Sequence, residues 1–150
     1  MASPSNSTDR LQEFTPPHDL VAEKCLLGSI LLSSDAFYDI LTHVNADCFY
    51  SGAHKQVWIA IKEMYEEGKT GIDVVLLRDE LEKRGQLGFV GGEKLLLEIM
   101  QTVPHSAHAE YYAKIVLEAA LLRRLISACS RIAGDAYAPQ EPVEKILDQA

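Results

Sequence analysis

The chain has 150 residues, enough for one domain with a modest core; 47% are hydrophobic and 24% charged, as in an ordinary globular protein. A formal net charge of −8 repels phosphate, so the composition argues against a chain that holds DNA by itself, while leaving room for a local basic patch. The three cysteines, Cys25, Cys48 and Cys129, are odd in number and lack CxxC spacing, which argues against a disulfide framework. Each sits among apolar residues, which predicts buried free thiols and suits a reducing, cytoplasmic setting.

The first 14 residues are polar and Ser-rich and carry no apolar signal-peptide core, so residues 1–15 read as a disordered arm. After Pro16-Pro17, Asp19 is placed to cap a helix from about residue 20 to 32, with Glu23 near its positive end. Ala22, Leu26 and Ile30 share a face of it. The apolar run Leu26–Leu32 is far below the ~20 residues of a membrane span. Gly28 costs stability inside a helix, which predicts another helix packed closely against it. Ser33-Ser34 end this segment and are placed to cap a short helix from Asp35 to about Thr42, followed by a loop from Asn45 to Tyr50.

Ser51 is the expected cap of a helix over about 52–67, with a stripe of Ala53, Val57, Ile61, Met64 and Tyr65 and with Trp58 on its flank. Gly68 is positioned to end it in the left-handed conformation. Asp73 caps the next helix, Val74 to Arg84, and Gly85 stops it. Gly91-Gly92 lead into a helix of about 92–101, and Pro104 ends it. From Ser106 onward Tyr112, Ile115, Val116, Ala119, Leu122, Ile126, Cys129 and Ala133 recur at spacings of three or four, the mark of one helix of about 27 residues or more. Pro139 and Pro142 bracket a turn, and a last helix from Val143 is cut off at Ala150.

No segment alternates with period two, so the pattern predicts an all-α fold. A compact bundle of short helices over residues 16–104 is followed by a long helix and helical hairpin over 105–150, whose second helix is truncated. A long amphipathic helix with an incomplete return arm has nothing of its own to cover its stripe, so it calls for a partner.

No reactive constellation emerges. Gly68-Lys69-Thr70 resembles the end of a phosphate-binding loop, but Glu63 stands where the first glycine belongs and the approach is helical and acidic. His18, His43, His54, His105 and His108 lack acidic or thiolate companions at metal-ligand spacing, and no catalytic triad pattern is present. Glu66-Glu67 and the Asp79, Glu80, Glu82 group read as solvated helix faces. Arg123, Arg124 and Arg131 read as solvated or ion-paired residues beside the stripe, with an interface rim as the competing reading. No catalytic, cofactor-binding or metal residue is therefore expected.

Five fragments in order carry a family resemblance: Ala22-Glu23 with Leu26-Leu27-Gly28-Ser29-Ile30-Leu31; Phe49-Tyr50 with His54, Val57-Trp58 and Ile61; Asp73-Val74-Val75 with Arg78 and Leu81-Glu82-Lys83-Arg84-Gly85; Val90-Gly91-Gly92 with Leu95-Leu96; and Tyr111-Tyr112-Ala113 with Ile115-Val116, continuing to Leu122-Arg123-Arg124-Leu125-Ile126. Together they resemble the N-terminal domain of the bacterial replicative DNA helicase, DnaB family, over about residues 16–150. Trp58 stands where a smaller aromatic is more usual.

The resemblance implies a non-catalytic helical domain that pairs subunits, assembles a hexamer as a trimer of dimers and docks the C-terminal domain of primase, with a helicase loader as a further partner. Within that role, Leu122, Ile126 and Cys129 are expected to pack between two chains, and Tyr111, Ile115, Arg123 and Arg124, near where the long helix leaves the globule, to contribute to primase binding, with a core position as the alternative for Ile115. The whole protein it resembles is an ATP-dependent 5′–3′ DNA helicase, whose ATP and Mg belong to a motor domain outside this sequence. On this reading the chain is a fragment ending inside the second hairpin helix. The alternative is a free-standing helical adaptor, such as the helicase-binding domain of a primase.

Overall fold

The computed structural model describes residues 14–103 and 108–150, and among them all regular structure is helical. The arm over 1–13, the stop at Pro104, His105 and the opening at Ser106 lie outside the described residues. The order is α1 (Leu20–Leu32), α2 (Ser34–Leu41), a 3₁₀ turn (Ala46–Cys48), α3 (Gly52–Glu66), α4 (Val74–Lys83), α5 (Leu87–Val90), α6 (Gly92–Thr102), α7 (Ala109–Tyr137) and α8 (Val143–Gln149).

Local chemistry sets three of the helix starts. The Asp19 carboxylate accepts from the Ala22 N–H at 2.9 Å, Ser51 Oγ from His54 N–H at 3.3 Å, and Asp73 from Val75 and Leu76 N–H at 3.0 and 2.9 Å. Ser33 departs from expectation: it occupies the cap position of α2 but makes no side-chain cap bond. The one-turn α5 was not foreseen, because four residues containing Gly88 show no helical period. It passes to α6 through Gly91 and Gly92, both left-handed at φ +103° and +68°, a path that side-chain-bearing residues rarely take.

The centre of the molecule is α1. Its expected face, Ala22, Leu26 and Ile30, is buried, and so are Glu23, Cys25, Leu27, Ser29 and Leu31 around the rest of the helix. A helix apolar on nearly all sides must be enclosed, and α2, α3, α6 and α7 all pack on it. The expected close approach at Gly28 is present: a Cβ there would meet the Ile99 carbonyl oxygen at 2.7 Å and Val103 Cγ2 at 3.1 Å.

Trp58 is not on a flank but fully buried, its ring centroid 5.6 Å from Phe37 and 5.4 Å from Phe49. The periodicity of α3 marked one covered face; the aromatics of α2 and of the residue after the 3₁₀ turn cover a second. The turn from α3 to α4 is held by charge: Lys69 reaches Glu80 at 2.9 Å, and Arg84 joins Glu80 to Glu63. Hydrogen bonds from Lys69 and Arg84 hold the Glu80 carboxyl below its ordinary range. Cys25 and Cys48 are buried free thiols as expected, but Cys129 is exposed, because it lies on a side of α7 that faces away from the globule.

Gly28→Ala provides a direct check on this packing. Alanine is worth about 1 kcal/mol over glycine inside a helix, yet here the methyl meets a backbone oxygen that has little room to yield. We expect a net loss of about 1–2 kcal/mol in urea unfolding; a gain in stability would show that α6 does not press on α1 at this point.

Candidate functional site

The residues of functional interest gather where the start of α1, the segment 48–51 and the middle of α7 meet. Glu23 lies on the first turn of α1 with its side chain 2% exposed. A buried carboxylate needs donors, and it has three: Tyr50 N–H at 2.5 Å, Ser51 N–H at 3.3 Å and His54 Nδ1 at 2.7 Å. The two backbone donors precede α3 and the histidine lies on its first turn, so one carboxylate ties α1 to the entry of α3. The sequence placed Glu23 only as a helix-dipole partner and, for His54, argued only against a metal site. The missing signal is long-range: Glu23 and His54 are far apart in sequence and meet only on folding.

Arg123 closes the same corner from α7. Its guanidinium donates to the Pro17 carbonyl at 2.8 Å and to the Cys48 carbonyl at 2.7 Å. Its Cζ lies 5.6 Å from the centroid of Tyr50, whose ring stacks on His18 at 4.2 Å. Where the sequence suggested a solvated or ion-paired residue, Arg123 is half-buried and, among the described residues, bonded to carbonyls of the globule. Arg124 is exposed, and its charge helps Lys55, the larger influence, hold the Asp47 carboxyl below its ordinary range. Burial raises the Cys25 thiol, with Tyr112 working the other way, so this cysteine stays protonated and unreactive.

The long helix has two faces that the sequence merged into one stripe. Ala109, Ala113, Val116 and Ala120 are buried against the globule. Leu122, Ile126 and Cys129 lie on a face turned from it by about 140°, at 100° per residue, and all three are exposed. Leu122 and Ile126 stand 50% and 49% exposed, with Leu121 and Leu125 beside them. The small residues Ala113 and Ala120 were passed over because alanine signals helix more strongly than burial.

Tyr111 and Ile115 fall on the Leu122 face, within about 60° of all three of its members. Tyr111 is exposed, while Ile115 is half-buried and packs on the core. Arg123 and Arg124 point elsewhere, about 100° and 200° from Leu122. The structure therefore brings Tyr111 and Ile115 to the face that holds Leu122, Ile126 and Cys129, and does not gather the four residues expected for primase into one patch. Among the described residues no three His, Cys, Asp or Glu side chains converge to hold a metal ion, and no helix is long and apolar enough to cross a membrane.

Residues 15–118 match the family model of the DnaB-like helicase N terminal domain. The chain belongs to this family. It is 43% identical over 142 residues to the replicative DNA helicase DnaB of Leifsonia xyli subsp. xyli, covering 95% of this chain and 31% of that protein. It is 36% identical over 143 residues to the replicative DNA helicase DnaC of Bacillus subtilis, again 95% of this chain and 31% of the other. The chain thus spans about a third of the length of these relatives. Its fold superposes on the crystal structure of the N-terminal domain of DnaB helicase from Mycobacterium tuberculosis with a TM-score of 0.85 at 42% identity, covering 90% of this chain and 94% of that one. The family match is to the helicase domain, and this favours it over the adaptor reading.

The Glu23 corner yields a stability prediction. Glu23→Ala leaves the buried His54 ring and two part-buried N–H donors without an acceptor, and we expect a loss of about 3–5 kcal/mol in denaturant unfolding. Glu23→Gln keeps one carbonyl oxygen and should lose visibly less. Equal losses for the two variants would mean that the full carboxylate, which neither variant keeps, and not side-chain shape, holds the corner.

Proposed function

We propose that this chain is the assembly and docking tier of a replicative DNA helicase, acting in the cytoplasm during DNA replication without chemistry of its own. The observation that supports this best is the apolar face of α7 that the globule leaves uncovered. Leu122, Ile126 and Cys129 pair with the same face of a second copy, and in the whole helicase such pairs build the hexamer as a trimer of dimers. ATP, Mg and the grip on DNA belong to the motor domain, whereas this acidic domain needs no cofactor or metal and has no strong hold on nucleic acid.

The C-terminal domain of primase docks on the first half of α7, where the helix runs along the globule. Tyr111 and Ile115 make the contact there, Arg123 holds the corner in shape and Arg124 flanks it. A helicase loader is a second partner of the same tier. Tyrosine and arginine are the types that most often dominate interface energies, and Tyr111 is exposed without being needed by the core.

Sedimentation equilibrium over a range of concentrations tests the pairing. The wild-type chain is expected to show a monomer–dimer equilibrium, and Ile126→Asp to be monomeric because pairing would bury an unpaired charge. A wild-type chain that stays monomeric at millimolar concentration refutes the pairing.

For primase, calorimetric titration with the C-terminal domain of the cognate enzyme is the test. Tyr111→Ala should weaken binding about tenfold, a cost of about 1.4 kcal/mol, with helical circular dichroism intact. Arg124→Ala, on another side of α7, should weaken it less. Unchanged affinity in both variants would place the partner on another face of the globule.

A further inference from the structure

The distal half of α7 projects from the globule, and something must set the angle at which it projects. The last residue of α7 buried in the globule is Ala120. Beyond it, the contact with specific geometry is Arg123, whose planar fork donates to two carbonyls from two separate segments, Pro17 before α1 and Cys48 in the 3₁₀ turn. The Cys48 acceptor is itself fixed. Cys48 is buried, and the residues after it are locked by the Glu23 carboxylate through Tyr50 and Ser51. The guanidinium also lies over the Tyr50 ring.

We propose that Arg123 is a strut that sets the hairpin angle and thereby aligns the α7 face for pairing with a second copy. This rests on the reading that the Leu122, Ile126 and Cys129 face pairs two chains. The helix supplies the leverage: Tyr137 lies about 21 Å beyond Arg123, so a tilt of about 10° at the strut carries the end of α7 about 4 Å sideways. Apolar side chains lose most of their mutual attraction over a gap of that size. Arg123 acts as a positioning residue, on the globule side of α7 and about 100° from Leu122, so its effect on pairing must pass through orientation.

The experiment separates the strut from the pairing. Single-molecule energy transfer is measured between dyes at Lys83→Cys on α4 and Ser130→Cys on α7, in a Cys129→Ser background, at concentrations too low for chains to meet. Arg123→Met keeps an apolar stem and removes the fork; Arg123→Lys keeps the charge and one donor group. We expect the transfer distribution of Arg123→Met to broaden or shift from that of the parent, and Arg123→Lys to fall between them. In unlabelled chains, sedimentation should show pairing about tenfold weaker for Arg123→Met, with partial rescue by Arg123→Lys.

An unchanged transfer distribution in Arg123→Met overturns the strut. A changed distribution with unchanged pairing overturns its link to assembly. If the parent chain never pairs, the reading of the α7 face fails, while the transfer comparison still decides what Arg123 does.

Discussion

A carboxylate inside a core has to be met by donors, and satisfying Glu23 determines where several other parts of this molecule lie. Its two oxygens take the N–H groups of Tyr50 and Ser51 and the ring nitrogen of His54. This pins the segment before α3 to the first turn of α1. Once that segment is placed, the Cys48 carbonyl and the Tyr50 ring are in position to receive Arg123, and α7 is fastened across the same corner. A charge in α1 is thereby linked, through neighbouring hydrogen bonds, to the exposed half of a helix about 100 residues away in sequence.

Close packing of α1 makes the same demand by other means. It is buried on almost every side, so its neighbours are set by steric fit as well as by area. Gly28 lets the end of α6 approach to a distance that any side chain would forbid. Ser29 turns its hydroxyl back onto the Cys25 carbonyl at 2.8 Å and so presents little polarity to the helices around it. The compact part of the molecule is consequently rigid where α7 is anchored. A rigid base is what a projecting helix needs if it is to meet a partner at a repeatable angle.

The two faces of α7 divide its work. Small residues on one face let it lie close to the globule; larger apolar residues on the other remain in water. An exposed row of Leu121, Leu122, Leu125 and Ile126 is costly for a solitary chain and sensible for one that pairs. Membership of the DnaB-like helicase N-terminal domain family is consistent with such a division, since the family's relatives are several times longer than this chain and carry this domain as one part.

Much of the fold was legible from local chemistry. Asp19, Ser51 and Asp73 mark helix starts because short side chains cap backbone N–H groups wherever they occur. Gly68 and Gly85 mark stops because left-handed backbone favours glycine. The need for a helix against Gly28 followed from a steric argument that needs no coordinates. What the sequence left undecided were the meetings between distant segments: Glu23 with His54, Arg123 with the Pro17 and Cys48 carbonyls, and Trp58 with Phe37 and Phe49. The exposure of Cys129 and the split of one apolar stripe into two faces belong with these. Helix caps, stops and periods are set within a few residues and can be read along the chain. Which donor fills which buried acceptor, and which side of a long helix meets the core, depends on segments that become neighbours only when the chain has folded.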